Sequence, residues 1–267
     1  MLKIKAYCLF LFLFIVYGCE IVVEFPKFDG YQESPVIEAV LTDTEEIQYV
    51  KVSKSVSISD SILSRPVENA TVYVFSDIGD TIFYNHNHDG CYQSPLFKSV
   101  TGINYTLCAI IDGIPYYSSG KTIPMKGIDS VYYKYLERSY GLEDAYYVFC
   151  DVGITDQQEI NYYQFNIFKN NNLYTNGNRL WVFNDKYNKE IKDLNLPVAF
   201  EKGDTIIVEL LSLSKELYEY YFALTNQVFN TSIVNIGYNS NLPMLFNPIA
   251  MGYFQVSSVN RRTLIIE

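Results

Sequence analysis

The sequence predicts a mainly β protein in two parts. An N-terminal β-sandwich is expected at 35–126, followed at 127–267 by a second β-rich domain with one packed α-helix at about 214–229. Three observations predict this. Apolar residues recur at every second position in run after run, Asp, Asn and Gly clusters punctuate those runs at short intervals, and only one stretch carries the helical period. The composition agrees: 49% of the 267 residues are hydrophobic, and 25 Tyr and 17 Phe stand against 4 Met. Such a chain can bury one large core or two ordinary ones, and its aromatics suit the rungs of a sheet.

Taken in order, PVIEAVLT at 35–42 and IQYVKVSKSV at 47–56 read as strands joined by an acidic turn at 43–46. Residues 57–66 are polar and turn-like. ATVYVFS at 70–76 sets Val72 and Val74 on one side and Tyr73 and Phe75 on the other, and Asp77-Ile78-Gly79-Asp80 turns it into TIFYN. A turn is expected over Asn85–Gly90, then CYQS. NYTLCAII at 104–111 and PYYSSGKTI at 115–123 flank Asp112-Gly113, a pair that favours a tight hairpin. This makes about seven strands before the expected boundary at Lys126-Gly127, the size of a small sandwich.

Beyond that boundary, strands are expected at 128–135, 145–154, 161–170, 179–184 and 204–213, with an Asn-rich loop at 170–178. Ser214 can cap the helix, Glu216 sits in its first turn, and Leu217, Tyr220 or Tyr221, Leu224 and Val228 recur at helical spacing. Two further strands, AMGYFQVSSV and RTLIIE, close the chain.

The N-terminus reads as an export signal. Lys3 and Lys5 precede an apolar stretch whose core, LFLFIV at 11–16, is far shorter than the ~20 residues a bilayer-spanning helix needs. Gly18 then precedes Cys19. A short apolar segment ending in a small residue and Cys resembles the lipobox of bacterial lipoproteins, with Tyr17 bulkier than the usual occupant. Residues 1–18 are therefore expected to be removed, Cys19 to carry lipid, and residues 19–34 to act as a tether. Two or three acyl chains hold firmly where one is marginal. Cys91, Cys108 and Cys150 remain in the body. Three thiols cannot all pair. Cys91 and Cys108 meeting across adjacent strands and three unpaired core thiols are both open.

Charge narrows the partners. The chain has 20 basic and 30 acidic residues, and loss of residues 1–18 removes only Lys3 and Lys5, moving the formal charge from −10 to −12. No basic run exceeds Arg261-Arg262, which argues against nucleic acid as a partner and against electrostatic adhesion to anionic lipid. Any membrane attachment is expected to be covalent.

Candidate chemistry is sparse. In Asn85-His86-Asn87-His88-Asp89-Gly90, oxygen side chains alternate before a Gly as at the start of a calcium loop. The closing position falls on Leu96, however, so the bidentate carboxylate is missing, and the two histidines lack a third ligand nearby in sequence. A plain turn explains the run, and no metal or cofactor is assigned. No G-x-S-x-G or H-E-x-x-H occurs, so no catalytic residue is assigned. Asp129, Asp144, Asp151 and Glu209 lie near strands, where acids at strand ends are usually solvated. A tyrosine band at 132, 133, 135, 146, 147, 162, 163, 218, 220 and 221 could stack on a partner. It is better read as adjacent pairs with one ring in the core and one outside.

The blocks PVIEAVLTD (35–43), PVENATVYVFSD (66–77), DGCYQS (89–94), GINYTLCAIIDGIPYYSS (102–119), IDSVYY (128–133), GDTIIVELLSLSKELYEYYFAL (203–224) and NPIAMGYF (247–254) occur in this order behind Cys19. Together they resemble a DUF4249-like family of Bacteroidetes outer-membrane lipoproteins of unknown function. The first half is also similar to transthyretin/Ig-like and carboxypeptidase-regulatory sandwiches, with Tyr92 at the position of their usual tyrosine. The resemblance implies an outer-membrane lipoprotein encoded beside TonB-dependent receptors and acting as an accessory binding module. It carries no catalytic residue. Acidic residues that would direct export to the cell surface are present only as Glu20, so the periplasmic or external orientation stays open. A structural or adhesive envelope component and a hydrolase of unknown substrate are the alternatives. The first would have no concave site, and the second would need acids converging in a cleft.

Overall fold

The computed structural model describes residues 32–57, 60–137, 144–153, 159–175, 180–187, 191–229 and 242–267. The expected signal peptide, Cys19 and most of the tether lie outside them.

The fold is mainly β with a single helix among the described residues, arranged as three sheets. The first sheet is built from β1 (Pro35–Thr42), β2 (Glu46–Lys54), a two-residue β3 (Arg65–Pro66), β4 (Thr71–Ser76), β5 (Thr81–His88), β6 (Cys91–Phe97), β7 (Asn104–Ile111) and β8 (Ile114–Lys121). The chain then makes β9 (Ile128–Leu136), β10 (Ala145–Val152), β11 (Tyr162–Lys169), β12 (Asn172–Leu173), β13 (Trp181–Asn184), β14 (Ile191–Phe200) and β15 (Thr205–Leu213). Helix α1 (Lys215–Phe229), β16 (Met251–Ser257) and β17 (Val259–Ile265) complete it.

The first sheet has the order β16-β1-β2-β6-β5-β4-β7-β8, with β3 on β2. All its pairings are antiparallel except β1 with β16, where Val36 to Thr42 run beside Met251 to Ser257 in parallel. The sheet curls until its ends nearly meet. A Cβ on Gly120 of β8 would stand 2.7 Å from Val256 Cγ2 of β16, and Tyr117 and Asn247 exchange two backbone hydrogen bonds of 2.9 Å. Ile37, Val52, Val74, Leu107 and Ile111 fill the interior, joined by Phe254 and Val256 from the far end of the chain. Tyr92 lies in this core. Its hydroxyl donates to the Val67 carbonyl at 2.8 Å and accepts from the Ala70 amide at 2.9 Å, pinning the segment that leads into β4.

The second and third sheets, β14-β10-β9 and β12-β11-β15-β17 with β13 also on β11, face each other across a second core. Val148 and Cys150 meet Phe165, Ile167, Val208 and Leu210 there. Adjacent strand tyrosines turn to opposite faces, but the second ring is packed rather than left outside, as with buried Tyr147, and Tyr220 and Tyr221 of the helix are both buried. Tyr133, Tyr146 and Tyr163 join this core, Tyr132 stacks on Phe149 on the opposite face, and Tyr162 turns to the helix. The helix begins where Ser214 predicts it, with the Leu217 amide donating to Ser214 Oγ at 3.2 Å. It lays Leu217, Tyr220 and Tyr221 against Leu213, Tyr162 and Tyr253.

Further expectations are corrected. The turn expected over Asn85–Gly90 is confined to Asp89 and Gly90, because β5 runs on to His88 and pairs there with Cys91. Cys91 and Cys108 cannot pair across adjacent strands, since β5 and β4 lie between β6 and β7, and all three body cysteines are free thiols. The stretch 191–200, which carries no clear alternation, forms the strand β14. Finally, the loop expected at 170–178 contains the two-residue strand β12, and its residues 176–178 lie outside the described set.

Candidate functional site

Period-2 alternation gives every strand a second face, and in two of the sheets that face is turned to the same place. Ile37, Ala39 and Leu41 of β1 point into the first core, which leaves Glu38, Val40 and Thr42 on the outside. Ile206, Val208 and Leu210 of β15 point into the second core, leaving Ile207, Glu209 and Leu211 opposite. Between these outer faces lies a cleft of about 650 Å³. One wall presents Val40, Ile47 and Tyr49, and the other Phe168, Leu173 and Leu211, with Tyr253 of β16 also lining it. Ile47, Tyr49 and Leu173 are exposed, although each is large and apolar. Val40 opposes Tyr49 across β1 and β2, and Phe168 opposes Leu173 across β11 and β12, so each wall is knit by a cross-strand pair.

One end of the cleft is closed by charge. Arg261 Nε of β17 donates to Glu209 Oε1 at 2.5 Å, and its two terminal nitrogens reach Glu46 Oε2 and Oε1 at 3.3 Å. Asn166 Nδ2 donates to the other Glu209 oxygen at 2.8 Å, and Thr42 Oγ1 donates to Glu46 at 3.2 Å. Burial works against the Arg261 charge, but Glu209 and Glu46 more than offset it and raise its pKa. The guanidinium thus ties a strand of the first sheet to two strands of the third. Further along, Glu38 and Lys51 oppose each other in register. The Glu38 carboxylate, together with burial, pushes Tyr220 and Tyr253 up to about 12, with burial the larger cause.

Beneath the cleft runs a buried polar seam. Gln255 Nε2 donates to Gln164 Oε1 and Ser257 Oγ, both at 3.0 Å, and Tyr221 donates to Gln255 Oε1 at 2.7 Å. Ser257 Oγ donates to the Ser212 carbonyl at 2.6 Å. Burial holds the Tyr221 hydroxyl well above its ordinary pKa, so it stays a proton donor here.

The acids singled out in the sequence do not converge. Glu209 is committed to Arg261 and Asn166. Asp151 lies on β10 of the second sheet, where Ser130 Oγ and the Asp193 amide donate to it and hold its pKa down. Asp129 and Asp144 are exposed elsewhere. His86 and His88 are exposed on β5, with the His86 ring 5.2 Å from Tyr92 and His88 Nδ1 3.6 Å from Asp89. Among the described residues, no three His, Cys, Asp or Glu gather as a metal site would require. No described helix is long and apolar enough to cross a membrane. Sequence reading missed Arg261, Glu46 and the apolar walls. The large apolar residues Ile47, Tyr49 and Leu173 hinted at an uncovered face but not at what faces it, and nothing signalled Arg261 or Glu46.

Fold and cleft together define a β-rich protein whose curled first sheet and packed sheet pair leave an apolar, charge-closed groove between them. The chain belongs to the family described as a domain of unknown function (DUF4249), whose model matches residues 21–263. No curated protein matches it.

Proposed function

We propose that the protein is a lipid-anchored binding module of the bacterial outer membrane, held through Cys19, that engages a TonB-dependent transporter through the cleft between its first and third sheets. The observation that carries this reading is the cleft itself. Exposed apolar residues on two facing walls have no covering partner among the described residues, and the charged groups at its end are paired within the protein. Such a groove can accept apolar side chains of a partner without leaving a bare charge desolvated. A purely structural envelope component has no need of it. A hydrolase would need acids free to transfer protons, whereas Glu46 and Glu209 both serve Arg261. The apolar run before Cys19 supports the anchor, which would raise the local concentration of module and partner in the membrane plane.

Co-purification from detergent-solubilised membranes tests the proposal, with Cys19→Ala as control. A transporter β-barrel recovered with the native chain, reduced with Tyr49→Ala and lost with Cys19→Ala, is the expected result. A partner-free native chain would refute it.

A further inference from the structure

From its position at the tether exit, we infer that the end of the first sheet bearing Leu63, Ile62 and Ile114 rests on the lipid surface to which Cys19 is anchored. The inference rests on the proposed anchor and adds the orientation of the module on it. The described chain begins beside that end. The Ser34 amide donates to Ser55 Oγ at 3.0 Å, and Glu33 is paired with Arg65. Residues 20–31, between Cys19 and the described chain, can span at most about 45 Å even fully extended. The tether therefore leaves the molecule from this end, on the side that bears the apolar tips.

The same end displays bare apolar tips. Leu63 is 100% exposed, Ile62 48% and Ile114 48%. Leu63 is two residues from Arg65, which pairs with Lys54, and Lys54 opposes Pro35 at the start of β1. Ile114 follows the Asp112-Gly113 turn, and Asp112 is bound to Lys54 at 2.7 Å. Parallel β16 brings Met251, 44% exposed, beside Val36, and Ile249, 72% exposed, lies two residues further toward this end. These tips come from three separate segments of chain. Lys54 is paired with Asp112 and Arg65 with Glu33, which lessens the unpaired charge that contact with lipid would bury. At the opposite end, the exposed Ile78 is flanked by Asp77 and Asp80.

Tryptophan quenching tests this. Lipidated full chain, with acyl mass on Cys19 confirmed, is reconstituted on brominated phosphatidylcholine vesicles. The single native tryptophan is removed by Trp181→Phe, and emission is read from Leu63→Trp or from the control Ile78→Trp. About twofold or stronger quenching at position 63, with little at 78, is expected for a side chain at the headgroup boundary. Equal quenching at both, or none at 63, overturns the docking while the anchor stands. Absence of acyl mass overturns the anchor, and the docking with it. A second readout guards against a perturbed variant: hydrogen exchange on the wild-type chain should slow at 112–115 on vesicles relative to detergent. Leu63→Asp with Ile114→Asp should abolish that slowing while the acyl chains keep the protein on the vesicle, and unchanged protection would overturn the docking.

Discussion

Gly252 stands inside β16 with φ of +102°, and a Cβ there would lie 2.0 Å from the Ile37 carbonyl oxygen of β1. Both facts follow from how closely the parallel strand is drawn onto its partner, with Ile37 and Gly252 in register. Gly252→Ala must therefore strain the backbone and push the strands apart, at a cost of about 3 kcal/mol or more. Gly79 has the same φ of +102° but lies in an open turn with nothing within 4 Å of its would-be Cβ. Gly79→Ala should cost only about 1 kcal/mol, the backbone strain alone. Urea unfolding of the two variants side by side measures the difference, and equal losses would show that the β1–β16 contact is not close. Tyr92 belongs to the same scale. Its place could be read from the DGCYQS block, but the atoms its hydroxyl binds, 22 and 25 residues back in the chain, could not.

Among the elements, those with one clean period were legible and those with broken ones were not. PVIEAVLT formed β1 at the expected limits because its apolar run is bounded by the acidic turn at 43–46, and α1 starts at its cap. Strand β14 escaped notice because its register against β10 shifts between Tyr147 and Val148 and again between Cys150 and Val152, and Asp193 within it adopts φ of +51°. A bulged strand carries no fixed parity for a sequence pattern to show. Turns are where elements are locked together. Asp204, before β15, accepts from Asn170 at 2.8 Å and from the Glu201 amide at 2.7 Å, and pairs with Lys169 at 2.8 Å. Burial opposes its charge, yet these partners together hold its pKa below the ordinary carboxylate value. A depressed native pKa stabilises the fold above the unfolded value of about 3.9, and that stability is lost as pH falls through the native value. Asp204→Asn should therefore cost about 2 kcal/mol at neutral pH and shrink toward no cost in strong acid. Thermal melts from pH 7 downward check this, and a penalty that does not diminish with acid would contradict the assignment.

At the scale of the whole molecule, the end of the chain crosses from the first sheet to the third. Strand β16 closes against β1, and Ser258 then passes the chain to β17, with the Ser258 amide donating to Ser212 Oγ at 2.9 Å and the Val259 amide to Asp43 at 2.8 Å. Both strands were expected from AMGYFQVSSV and RTLIIE, but their partners lie some two hundred residues and some fifty residues away. Local pattern carries no information about pairing over such distances, so neither the cleft nor its Arg261 bridge could be read in advance. Glu209 is buried while Arg261 is partly open, so removing the arginine leaves a carboxylate with Asn166 alone. Arg261→Met should cost about 2 kcal/mol, and adding Glu209→Leu should recover much of it because the orphaned charge goes too. Additive losses in that double variant would contradict the bridge.

The cleft as a partner-binding surface is the central claim, and photo-crosslinking in living cells tests it most directly. A photoreactive amino acid in place of Tyr49 should give one discrete adduct containing an outer-membrane β-barrel, while the same group in place of Tyr187, exposed on the segment after β13, gives none. No adduct at 49, or the same adduct from both positions, would contradict the account.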